Sequence, residues 1–88
     1  MIVNKRGIAV SIGDYVQVEN SAGQIYYGEI AKINVNLDIG RFIVKFLHTD
    51  DESAKIPIHR TLILRPDQVI KVLTDEEVYF IDLVRDYV

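Results

Sequence analysis

The 88-residue sequence contains no cysteine, which excludes a disulfide framework, a thiolate metal centre and a cysteine nucleophile. No apolar run approaches the ~20 residues a bilayer-spanning helix needs. The opening stretch, residues 1–7, places Lys5 and Arg6 after its apolar residues and has no long apolar core. No signal peptide is therefore expected, and the expected location is cytoplasmic. Internal repeats, low-complexity tracts and linkers rich in proline, glycine and serine are also missing, so the chain reads as one domain. Ser11, Ser21 and Ser53 are the only serines, and none sits in a Gly-x-Ser-x-Gly turn. Nucleophilic hydrolysis has no candidate, and no catalytic residue is assigned.

A domain-scale basic excess is lacking too. Residues 1–73 carry nine basic and eight acidic groups, while residues 74–88 carry five acids against Arg85 alone. Nucleic-acid affinity derives largely from phosphate neutralisation, so this balance argues against a dedicated nucleic-acid binder. A local surplus survives between Lys55 and Lys71, where Lys55, Arg60, Arg65 and Lys71 meet only Asp67.

What is present is a globular composition, 49% apolar and 26% charged. Turn signals at Gly13-Asp14, residues 20–23, 34–40 and 48–53, and Arg65-Pro66-Asp67 separate runs rich in β-branched and aromatic residues. These runs predict strands over 15–19, 24–33, 41–47, 55–59 and 69–73. Val16 and Val18 share one face of the first, and Phe42, Val44 and Phe46 one face of the third. Ile43 and Leu47 on the opposite face of the third strand predict that it is covered on both sides. The second run alternates poorly, which a bulge or kink at Gly28 would reconcile. Pro57 places the fourth run at a sheet edge, since proline donates nothing to the ladder.

From Thr74 the period changes. Thr74-Asp75-Glu76-Glu77 fits a capping box, with three carboxylates where the helix macrodipole favours negative charge. A helix of about 12 residues through Asp86 is predicted, marginal on its own and so dependent on packing. Tyr79, Phe80, Ile81, Leu83, Val84, Tyr87 and Val88 would cover roughly 200° of its surface, wider than one docking stripe requires.

The order of the body resembles the SH3-like small β-barrels of KOW and Tudor type. Residues 13–18 (Gly-Asp-Tyr-Val-Gln-Val) resemble the opening strand, Tyr26-Tyr27-Gly28-Glu29-Ile30 the second and Phe42-Ile43-Val44-Lys45-Phe46 the third. His48-Thr49-Asp50-Asp51 falls at the turn after it, and Ile56-Pro57-Ile58 with residues 62–64 would close the barrel. The resemblance implies a five-stranded antiparallel SH3-like barrel over residues 1–73, mainly β, with the amphipathic helix 74–88 packed on it. Aromatic recognition in that family would fall here on Tyr15, Tyr26, Tyr27 and Phe46.

The functional expectation is a non-catalytic accessory module that binds a protein partner. Its contact residues would be Tyr15, Tyr26 and Tyr27 in a barrel groove and Tyr79, Phe80, Leu83 and Tyr87 on the helix, tyrosine being enriched at interface hot spots. The partner could be a second copy joined through the helix. The alternative is nucleic-acid binding through Lys55, Arg60, Arg65 and Lys71, with Tyr26 for stacking. His48, Asp50, Asp51 and Glu52, with His59, are a candidate set of oxygen and imidazole ligands, but an acidic turn needs no metal. No metal, cofactor or membrane association is expected.

Overall fold

The computed structural model describes residues 1–35, 40–51 and 56–86, the side chains of residues 35 and 84–86 excepted. Two short strands, β1 (Ile2–Val3) and β2 (Ala9–Val10), form an antiparallel hairpin. The main sheet follows, comprising β3 (Tyr15–Glu19), β4 (Ile25–Val35), β5 (Gly40–Thr49), β6 (Thr61–Leu64) and β7 (Val69–Val72). A 3-10 turn over Pro66–Gln68 joins β6 to β7, and helix α1 spans Asp75–Asp86. The sheet is antiparallel throughout, in the order β6-β5-β4-β3-β7. The protein is thus mainly β, with one C-terminal helix.

Period-two alternation selects the inner face. Val16 and Val18 point inward from β3, Ile30 from β4, Phe42 and Val44 from β5, Leu64 from β6 and Val69 from β7, all buried in one cluster with Val10. The edges of this sheet lie close together. A flat five-stranded sheet would hold its outer strands roughly 19 Å apart. Only residues 65–68 connect β6 to β7, and three of them are wound into the 3-10 turn. That connection spans about 10–12 Å at most, so the sheet must coil strongly around its core.

Asn4 spans the seam. Its Nδ2 donates to the carbonyls of Pro66 at 2.9 Å and Val69 at 3.0 Å, and its Oδ1 accepts the amides of Arg6 and Ile8. It is the one buried polar side chain among the described residues, and every bond it can make inside the seam is made. The β1–β2 hairpin, with Ile2, Ile8 and Val10 against the core, is thereby held across the gap.

The structure corrects the sequence reading at four points. The sheet is coiled but not closed, because no ladder joins β6 to β7. No strand covers the described part of 55–59: Pro57–Arg60 is a turn, with the Arg60 amide donating to the Pro57 carbonyl and His59 at φ 68°. The edge strand is Thr61–Leu64 instead. Strand β5 extends through His48 and Thr49, which were expected in a turn. Cover on its outer face is partial: Leu47 is buried, Ile43 half-buried and Lys45 exposed.

At Gly28 strands β4 and β5 approach each other closely. The register shifts between Tyr27 and Gly28. A β-carbon on Gly28 would lie 2.5 Å from Val44 Cγ1 and 2.6 Å from the Lys45 carbonyl oxygen. Only glycine admits the two strands at this spacing.

Candidate interaction cleft

One row of side chains crosses the outer face of the sheet. Cross-strand register pairs Lys71 with Gln17, Gln17 with Tyr27 and Tyr27 with His48. The bulge beside Gly28 decides the last pairing. Without it Leu47 would stand opposite Tyr27; with it His48 does, and the two rings stack at 5.9 Å and 25°. Gln17 Nε2 donates to the Tyr27 hydroxyl at 3.1 Å, and His48 Nε2 contacts Asp50 Oδ1 at 3.0 Å. The platform is therefore fixed from both sides.

Helix α1 begins above the same row. Thr74 and Glu77 exchange capping bonds: the Glu77 amide donates to Thr74 Oγ1, and the Thr74 amide donates to Glu77 Oε1. Lys71, at the end of the row, pairs with Glu77. This contact with Lys71, then the bonds to Thr74, hold the Glu77 carboxyl below the usual carboxylate range. The first turn of the helix is thus tied to the last strand of the sheet.

Between sheet and helix lies an open cleft of about 650 Å³. Its floor is Tyr27, His48 and Asp50; its wall is Leu73, Asp75–Glu77 and Tyr79–Ile81. The lining is mostly apolar. Tyr79 and Phe80 remain 64% and 69% exposed, and Leu83 is 39% exposed. Two large rings are thus held mostly in water beside an apolar cleft.

The expected residues are distributed unevenly around this cleft. Tyr27, Tyr79 and Phe80 line it; Leu83 lies one turn further along α1; Tyr87 falls outside the described residues. Tyr15 shares the outer face but stands opposite Glu29, beyond the lining. Tyr26 faces inward, edge-on to Phe46 at 5.9 Å, its hydroxyl donating to Gln24 Oε1. The three tyrosines of β3 and β4 therefore do not form one groove, because adjacent strand residues point to opposite faces.

Seven lining residues, His48, Asp50, Leu73, Asp75, Glu76, Glu77 and Ile81, were not singled out as contact positions from sequence. Leu73 directly follows β7, and His48 reaches the face only through the bulge.

Lys55 is outside the described residues, Arg60 and Arg65 flank β6 at one edge, and Lys71 lies on β7 at the other. Arg65 sits 3.5 Å from Asp67, and Lys71 is occupied by Glu77.

Of the weighed ligand set, Glu52 is outside the described residues and Asp51 accepts from Gln24 Nε2 at 2.6 Å. Among the described residues no three histidine, cysteine or acidic side chains form a metal-holding group. No helix of the described chain is long and apolar enough to cross a membrane. No family model, curated protein or solved structure matches the chain.

Proposed function

We propose that this chain is a non-catalytic interaction module, a five-stranded SH3-like roll whose C-terminal helix and outer sheet face together bind another protein. The return of β7 onto β3, after the meander β3–β6, supports the roll, as does the short link between the outer strands. The observation that carries the function is the cleft itself: an apolar space of about 650 Å³ whose mouth is framed by exposed Tyr79 and Phe80.

A cleft open along its length suits side chains presented by another polypeptide better than an enclosed small molecule, which needs most of its surface buried. Binding energy would come from burying Phe80 and Tyr79, with the surrounding carboxylates setting orientation and association rate.

The test is a paired substitution, Phe80→Ser with Leu83→Ser, in the full chain. Circular dichroism and thermal unfolding should match the parent, because both side chains already face water. Affinity for a purified partner, measured by calorimetry, should fall at least about tenfold, the loss expected for one or two interface anchors. Unfolding of the variant would make these residues core, and unchanged affinity would remove the cleft from the interaction.

A further inference from the structure

The charge around the cleft names the chemistry of what enters it. Asp50, Asp75, Glu76 and Glu77 line it, and among the described residues no lysine or arginine does. Glu77 is engaged by Lys71 and Asp50 by His48, whereas Asp75 and Glu76 make no ion pair among the described residues. The positive end of the α1 macrodipole, about half a charge, is outweighed by the three carboxylates of its first turn. On the floor the Tyr27 ring stacks on His48, an aromatic platform whose face attracts a cation. Leu73, Tyr79 and Phe80 supply the apolar wall.

We propose that the cleft receives an arginine or lysine side chain, flanked by an apolar residue, from a short segment of a partner protein. This inference rests on the interaction-module reading and specifies its ligand. The cation lies over Tyr27 within reach of Asp75 and Glu76, and the neighbouring apolar side chain covers Phe80.

A second copy of this chain is the wrong occupant. A two-fold contact through the cleft would set Asp75 and Glu76 against the same two carboxylates of the other copy, and like charges across an interface oppose association. A phosphorylated or acidic segment meets the same repulsion.

The experiment titrates the ¹⁵N-labelled full chain with three synthetic peptides of about ten residues, long enough to cross the cleft in extended form. They share a leucine and glycine framework and differ only in carrying arginine, glutamine or glutamate at the two central positions. The arginine peptide should bind about tenfold tighter than the glutamine peptide, and the glutamate peptide should not bind measurably. Amide shifts should centre on Tyr27, His48 and residues 73–81.

Raising salt from about 50 to 500 mM should weaken the arginine peptide several-fold and leave the glutamine peptide nearly unchanged. Asp75→Asn with Glu76→Gln should cost the arginine peptide about fivefold and spare the glutamine peptide, while Phe80→Ser weakens both. Arginine and glutamine peptides binding within twofold of each other would overturn the cation preference and leave the interaction face standing. Arginine-peptide shifts centred elsewhere, or none from any peptide, would overturn the proposal. The broader reading is then decided separately by the Phe80 and Leu83 variant.

Discussion

Gly28 and Asn4 each fix the sheet at one point, and they were unequally visible in the sequence. Gly28 interrupts an otherwise β-branched and aromatic run, so its role at a bulge could be inferred before any coordinates. Gly28→Ala forces a β-carbon against Val44 and, more seriously, against a carbonyl oxygen that cannot rotate away. The expected cost is about 2–3 kcal/mol, read as a lower urea midpoint at unchanged slope.

Asn4 carries no such local mark, because its partners lie 62 and 65 positions along the chain. Asn4→Ala strands two carbonyls and two amides at the seam and should cost roughly 2–3 kcal/mol, or about 10–20 °C in melting temperature. Asn4→Asp keeps the two acceptances and loses both donations. It should be no better than alanine, since a carboxylate would then face the Pro66 and Val69 carbonyls.

Among the elements, β3 and α1 were the most legible. Clean alternation marked the first, and a capping box at the start of an apolar stripe marked the second. The edge strand was misplaced because Ile56 and Ile58 alternate as convincingly as Leu62 and Leu64. The turn between them carries its positive φ on His59 rather than on a glycine, so nothing in the residue types announces it.

Helix α1 also has a pH signature. Glu77 titrates below its ordinary value because Lys71 and Thr74 favour its charged form. Its contribution to stability is therefore complete above the pKa of an unfolded glutamate and is lost as pH falls through the lower folded value. The Glu77 carboxyl carbon, followed by NMR, should titrate below free glutamate, with the first helical turn fraying in the same acid range. Lys71→Met should move that titration upward, and Glu77→Gln should abolish the acid step.

For the molecule as a whole, charge placement matters more than net charge. The near-neutral body and the acidic final fifteen residues meet at the cleft, which leaves an acidic rim around an apolar interior. On the proposed reading of the cleft, Asp75 and Glu76 oppose self-association through that face, and sedimentation of the full chain at neutral pH should give the 10.1 kDa monomer up to at least about 100 µM. A dimer lost on substituting Phe80 and Leu83 would contradict this.

The strand content and helix of this arrangement could be anticipated, but the cleft could not. Its floor depends on a one-residue register shift that exchanges Leu47 for His48 opposite Tyr27, and such a slip turns side chains to the other face.

The seam between β6 and β7 has a kinetic corollary. Strands β3, β4 and β5 pair with immediate neighbours and can assemble early, whereas β7 must return to β3 from more than fifty positions away, and such distant closures come late. Since α1 follows β7, contact order predicts that the floor of the cleft forms before its wall. A ligand that needs both will recognise only chains that have finished folding, and nascent or partly opened molecules will pass it by.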